Sequence, residues 1–450
     1  MPVFSGQNYL TRGFWGDEAW TSLISQLPYF QMLKTTAADF HPPAYYTVVS
    51  LVYKFSPETE VVTRAISIIF WLLTTLLVYK IGGEIKDRSF SILCAIVVSL
   101  NPTFFAYAFE ARNYTMFAFA ATASIYFLLR LSKNYNLKDL LFFIVSSTLG
   151  IYTHYYMFFV LTAELTYLII FHRRIFLKFF LPFVAIGILY LPWVPYLFSQ
   201  LTSVGESYWI PSIDLKTHYE AILRILGGEH QNFFRPLLFA ISLTLLLLGI
   251  ALPIFKKWSG KAFDPKFYSL LWLWAIVPFI LASLPGLDLA FLSLPFRPIF
   301  FWRYLVPVAI PLSILIVYIG NQLPKKLFFL VITLIVILSL CIDYLTFLRY
   351  PYTFKQVYAD KIIPRIERED KIVTVLPSFA EVLYYRDRNQ LENELRVLPE
   401  GLVNFSGKSL LDAYVQNGVV TINERPNTCY FEATPGPNLS TGSECYLSIP

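Results

Sequence analysis

The sequence predicts an α-helical polytopic membrane protein of about ten spans, followed by a small C-terminal α/β domain outside the bilayer. Three observations lead there. Of the 450 residues, 56% are hydrophobic and only 15% are charged, against about 45–50% and about 25% in soluble domains. Apolar stretches long enough to cross a bilayer, about 20 residues, recur between residues 61 and 345. The basic residues are dense in every second connection between those stretches.

Taken in order, residues 1–60 read as an outer loop, and residues 1–16 lack the apolar run of a cleavable signal. The loop carries the acidic pair Asp17-Glu18 in Phe14-Trp15-Gly16-Asp17-Glu18-Ala19-Trp20, then a short aromatic helix at 42–55 expected to lie at the interface. Spans are expected at 61–82, 89–109, 113–131, 139–153, 154–171, 176–198, 233–255, 267–285, 303–320 and 327–345, within a transmembrane region of 61–348. Residues 349–450 read as the soluble domain. It has an amphipathic helix at 353–368, a buried strand at 371–376, a helix at 378–386, and loops and short strands beyond 425. Cys429 and Cys445 could bridge there, in a compartment that permits oxidation. Cys94 and Cys341 lie in apolar segments and read as packing residues.

Orientation follows from the basic residues. One set of connections holds 15 of them, including Lys80, Lys86, Arg88, Arg173, Lys256 and Lys325, and the other holds 5: Arg112, Lys216, Arg224, Arg297 and Arg303. The rich set is expected to be cytoplasmic. The acidic loop, Glu110, Arg112, His154, the 199–232 and 286–302 loops and the C-terminal domain then share the outer side. The net charge of +6 is a topology signal, and no nucleic-acid partner is expected.

The outer set contains the residues that could carry chemistry. A carboxylate held against Phe14, Trp15, Trp20 and lipid gains basicity and becomes a usable base, although an acidic surface loop needs no function. In His41-Pro42-Pro43-Ala44-Tyr45-Tyr46 the prolines start a helix and hold His41 rigidly, as suits a phosphate or metal ligand. Glu110-Ala111-Arg112-Asn113-Tyr114 joins two spans, and the Arg112 fork matches phosphate oxygens, unless it only snorkels to the interface. His154, in Tyr152-Thr153-His154-Tyr155-Tyr156, reads as a structural histidine as readily as a ligand. Arg303, in Phe301-Trp302-Arg303-Tyr304, is an ionisable group at the membrane edge, a functional candidate by default. Asn113, Asn404 and Asn438 head Asn-x-Ser/Thr triplets.

In combination and order, the Asp-Glu pair, the His-Pro-Pro-x-Tyr-Tyr segment, the Glu-Ala-Arg-x-Tyr turn, the Tyr-Thr-His-Tyr mouth and Arg303-Tyr304-Leu305-Val306-Pro307 resemble the GT-C type integral-membrane glycosyltransferases. The relatives in view are protein O-mannosyltransferases and aminoarabinose transferases, over roughly residues 12–350. The resemblance implies transfer of a sugar from a polyprenyl-phosphate carrier to an acceptor hydroxyl at the outer face. Asp17 is then the general base, with Glu18 assisting or positioning it, and His41, Arg112, His154 and Arg303 bind the donor phosphate. Glu110, Tyr114, Pro42 and Pro43 hold the site in place. A phosphate leaving group needs no protonation, so inversion requires a single carboxylate, unlike the pair that a glycosidase uses. The implied partners are the lipid-linked donor, membrane lipid, and a glycan, lipid or protein acceptor. No cofactor is assigned, and a divalent metal is left open.

The sequence departs from that family at its start. Members carry a transmembrane helix before the acidic loop, and a start placed too late is the expectation here. The competing reading is a transporter or flippase for a lipid-linked glycan. It would place ionisable residues near the midplane on broken helices, and no internal repeat supports it. A third is a non-catalytic relative that binds glycan or protein.

Overall fold

The computed structural model describes residues 7–173, 176–206, 210, 213–251, 264–286, 298–399, 407–415, 417–424, 430–435 and 441–446. Its helices run in chain order α1 Gly16–Gln26, α2 Tyr29–Ala37, α3 Ala44–Tyr53, α4 Glu60–Ile85, α5 Arg88–Ser99, α6 Pro102–Ala108, α7 Tyr114–Lys133, α8 Leu137–Thr153 and α9 Met157–Phe171. They continue as α10 Phe176–Tyr190, α11 Val194–Glu206, α12 Leu215–Gly227, α13 Arg235–Ala251, α14 Pro265–Ser283, α15 Ala309–Gly320 and α16 Lys325–Phe347, then α17 Phe354–Val357, α18 Phe379–Arg388 and α19 Gly407–Tyr414. Residues 1–66, 196–209 and 348–450 form one compact unit, and 67–195 with 210–347 form a second.

Helices stand at all the expected spans, though not all of them are long. Among the described residues six helices are long and apolar enough to cross a membrane, or seven if a bent pair counts as one. The remaining expected spans hold shorter apolar helices, among them α9 and α13. The stretch 89–109 is broken: α5 and α6 meet at 65°, because Asn101 leaves the helix in an extended conformation, caps Phe104 N–H at 3.1 Å and is followed by Pro102. Helix α8 is 17 residues long and ends at Thr153, and α9 is only 15. The Thr153 carbonyl accepts a bond from Asn113 Nδ2 at 2.8 Å, so the chain turns there. Asn113 is thereby buried, which removes its triplet from any modifying enzyme.

In the first unit, five strands, β1 Lys371–Val375, β2 Leu395–Leu398, β3 Val419–Thr421, β4 Tyr430–Pro435 and β5 Thr441–Tyr446, form a sheet of order β3-β2-β1-β4-β5. All pairs are parallel except β4–β5. Central β1 is apolar and buried on both faces, as a parallel strand with cover on either side should be. The expected helix at 353–368 is shorter: Thr353 and Gln356 form its capping box, a π turn at Tyr358–Ile362 follows, and Pro364 ends it. Cys429 lies outside the described residues, and the expected bridge with it.

Candidate active site

The acidic pair opens α1. Two carboxylates in a first helical turn suit the positive end of the helix dipole, but the fold treats them differently. Glu18 is 0% exposed, and its carboxylate is gripped by Arg64, itself 0% exposed: Nε donates to Oε1 at 2.9 Å and an Nη to Oε2 at 2.6 Å. The remaining Arg64 N–H groups donate to the carbonyls of Leu10 (2.7 Å), Arg12 (2.6 Å) and Gly13 (3.1 Å). A guanidinium has five N–H donors, and all five are spent. Arg12 adds a second cation 3.5 Å from Glu18. Asp17, one residue earlier, is half-buried and stands outside this fork.

The loop before α1 is fixed from the C-terminal part of the same unit. The Phe14 N–H donates to the Tyr385 hydroxyl at 2.7 Å, which donates on to Glu60 at 3.0 Å. The Phe14 ring lies 4.9 Å from Tyr384, whose hydroxyl holds the Glu58 carbonyl. Lys355 reaches both the Thr11 carbonyl (3.1 Å) and Glu60 (3.3 Å). Gly13 allows the close approach, since a Cβ there would run into Thr353 Oγ1.

His41 precedes α3, with Pro42 and Pro43 leading into the helix as expected. Its Nδ1 lies 3.0 Å from Asp39 Oδ2, and its ring sits 6.2 Å from Trp20. Asp39 is 2% exposed, and its Oδ1 has no hydrogen-bond partner among the described residues. A buried carboxylate beside one ring nitrogen fixes which nitrogen faces outward. Among the described residues no cluster of three or more His, Cys, Asp or Glu side chains is arranged to hold a metal.

The second unit gathers the remaining candidates around aromatic rings. Arg112 is buried, with its guanidinium 5.9 Å from the Tyr114 ring and its carbonyl taken by Ser67. The Glu110 carbonyl accepts the Arg112 N–H at 2.8 Å and tightens the turn. Tyr114 packs on Tyr107 (5.0 Å) and Tyr304 (6.4 Å). His154 stacks on Phe117 at 4.9 Å and meets Tyr304 at 5.0 Å. Its Nδ1 accepts the Tyr156 N–H at 3.2 Å, which assigns its ring proton to Nε2. Arg303 lies over Phe301 at 4.6 Å. Tyr304 therefore joins the Tyr114 and His154 segments.

Several charged residues of these clusters are not among those singled out from the sequence. Arg64 was hidden inside an apolar stretch read as a span, where an ionisable group is itself a signal. Asp39, two residues before His41, is another. Glu229 accepts from Arg224 (2.7 Å) and Trp302 Nε1 (2.8 Å), with the Arg224 guanidinium 4.3 Å above that indole. Glu381 receives the Gly16 N–H, and burial followed by the Asp17 charge pushes its carboxyl up to about 8. Arg297 lies outside the described residues.

Residues 40–198 match the family described as dolichyl-phosphate-mannose-protein mannosyltransferase. No curated protein matches the chain. Among solved structures it is similar to apo ArnT from Cupriavidus metallidurans, with a TM-score of 0.62 at 12% identity over 97% of this chain and 91% of that one. The same protein bound to undecaprenyl phosphate gives 0.61 at 12% identity over the same shares. The apo oligosaccharyltransferase of Archaeoglobus fulgidus gives 0.51 at 10% identity, over 83% of this chain and 60% of that one. The chain is a multi-pass membrane protein with an ArnT-like fold, similar over residues 40–198 to the dolichyl-phosphate-mannose-protein mannosyltransferase family.

Proposed function

We propose that the chain moves a sugar, with inversion, from a polyprenyl-phosphate carrier to an acceptor hydroxyl at the outer face of the membrane, with Asp17 as general base. The observation that carries this reading is the division of labour in α1. Glu18 is held in a buried ion pair with Arg64, while Asp17, in the same turn, is half-buried and is not part of that pair. Glu18 then serves as the anchor of the loop rather than as a second base. Similarity to ArnT, of which one structure holds undecaprenyl phosphate, and to a dolichyl-phosphate-mannose family supports the donor class.

The chemistry is economical. The acceptor oxygen attacks the anomeric carbon as Asp17 takes its proton, and the carrier phosphate leaves as an anion. Arg112, Arg303, His41 and His154 are the proposed phosphate ligands, where charge that develops in the transition state is best met by fixed donors. Tyr114, Glu110 and the prolines at 42 and 43 position them. The higher density of basic residues in alternate connections supports the outer orientation of the loop.

The experiment supplies membranes bearing the full chain with mannosyl, glucosyl or aminoarabinosyl undecaprenyl phosphate and measures released undecaprenyl phosphate. Release by the wild type, lost in Asp17→Asn, is the expected result. Movement of the intact lipid-linked sugar across the bilayer without release, equal in both, would identify a flippase instead.

A further inference from the structure

Two arginines outside the proposed phosphate ligands stand where α12 ends and α13 begins, both within the second unit. Arg224 lies in the last turn of α12, where an Nη donates to Glu229 Oε1 at 2.7 Å and the guanidinium lies 4.3 Å from the Trp302 ring. Arg235 opens α13 and is 7% exposed. Its stem crosses Gly227, where a Cβ would stand 3.1 Å from Arg235 Cγ. Gly227 follows Arg224 by three residues and so shares a side of α12 with it. Both side chains therefore meet the same turn of that helix.

One carboxylate serves these two cations. Glu229 accepts from Arg224, from Trp302 Nε1 at 2.8 Å and from the Tyr107 hydroxyl at 3.4 Å. Among the described residues the buried Nε of Arg235 has no hydrogen-bond partner, and neither has that of Arg224. Asp343, buried on α16 beside α13, makes no bond to either. Nor does the start of α13 wait for a ligand, because Asn232 Oδ1 already takes the N–H groups of Phe234 and Arg235, each at 3.0 Å. A guanidinium withdrawn from water without a counter-charge is costly. The arrangement calls for an anion, and planar forks suit phosphate oxygens.

Further along the same helices lies a wholly apolar cavity of about 210 Å³, walled by Ile225 of α12, Leu246 of α13 and Phe279 of α14 among others. Its edge residues Leu247, Ile250 and Ile276 are exposed, so it opens sideways between α13 and α14. Leu246 lies about 17 Å along α13 from Arg235, at about 1.5 Å per residue. One leaflet is about 15 Å deep, half of the hydrocarbon core. We propose that this is a site for an anionic glycerophospholipid of the surrounding leaflet, with its phosphate on Arg235 and Arg224 and one acyl chain in the cavity. Two arginines against one carboxylate favour an anionic headgroup over a zwitterionic one. The bound lipid neutralises Arg235 and ties α12 to α13. The inference needs neither Asp17 nor a sugar donor.

The test measures lipid binding to the delipidated full chain in detergent by native mass spectrometry, with thermal unfolding on the same preparations. Arg235→Gln is expected to weaken the binding of dioleoyl phosphatidylglycerol at least about tenfold, as loss of a charge-assisted contact should. In the wild type, dioleoyl phosphatidylcholine and dihexanoyl phosphatidylglycerol, whose chains stop short of the cavity, should both bind more weakly than the dioleoyl form. Dioleoyl phosphatidylglycerol should raise the unfolding midpoint of the wild type but not that of Arg235→Gln. Without lipid, Arg235→Gln should unfold no earlier than the wild type, because an uncompensated charge has gone. Equal binding of dioleoyl phosphatidylglycerol by the two proteins overturns the site, and so does an Arg235→Gln chain that fails to fold. Inorganic phosphate protecting the wild type as well as the lipid does would leave an anion site with no use for the cavity, and overturns it too. Displacement of the phosphatidylglycerol by an equal concentration of undecaprenyl phosphate would assign the arginines to the donor instead.

Discussion

Arg64 and Glu18 form a two-point ion pair, 2.6 and 2.9 Å, with neither side chain reaching solvent. A buried pair of this kind adds little over apolar packing while both partners are present, but losing one costs about 3–5 kcal/mol. Here the same guanidinium also closes the backbone of residues 10–13, so the pair fixes the path of the loop that delivers Asp17.

Arg64→Lys is therefore not a mild change. Lysine has three donors in place of five and no planar fork, so two of the Arg64 contacts are lost. The expected result is a fall in the unfolding midpoint together with a loss of transfer activity, and Glu18→Gln should act in the same direction. Thermal unfolding in detergent and transfer assays on the same preparations check it.

Gly13→Ala places a methyl group against Thr353 and Tyr385. Overpacking of this kind costs about 1–3 kcal/mol. Limited proteolysis within residues 8–18 should become faster, while helices α7 to α9, which lie in the other unit, should keep their protection.

The Glu381 carboxyl, raised in the folded chain, binds a proton that the unfolded chain releases near 4.3. Its contribution to stability is thus complete below that value and is lost as pH rises through about 8. The unfolding midpoint of the wild type should fall over this window, and Glu381→Gln should flatten the fall. Scanning calorimetry between pH 4 and 9 reads the difference.

Asp39 holds one nitrogen of His41 at 3.0 Å. If His41 meets the donor phosphate, Asp39→Asn should raise the donor KM about tenfold, as loss of an outer-shell partner does for liganding histidines, with kcat little changed. Steady-state kinetics over a range of donor concentrations decides this.

Much of this architecture was legible in the sequence. Apolar length located the helices, Lys371–Val375 read as a buried strand, and the prolines at 42 and 43 marked the start of α3. What escaped has physical causes. A hydropathy reading averages over about 20 residues, so Arg64 vanished into the apolar stretch that follows it. The same averaging passed over Asn101-Pro102, whose cap and missing N–H bend α5 against α6 by 65°. The partners of the acidic loop are remote: Tyr385 lies 371 residues from Phe14, beyond any local pattern. Short β2 and β3, of four and three residues, carry too little alternation to stand out. Asp39 is the exception, two residues from His41 and readable as a carboxylate–histidine pair.

The role of Asp17 is tested most directly by comparing kcat and donor KM for Asp17→Asn and wild type, using a lipid-linked donor that the wild type accepts. A general base contributes about 10²–10⁴-fold, so kcat should drop by at least about a hundredfold while the donor KM stays within about threefold. Transfer by Asp17→Asn at the wild-type rate would contradict the assignment.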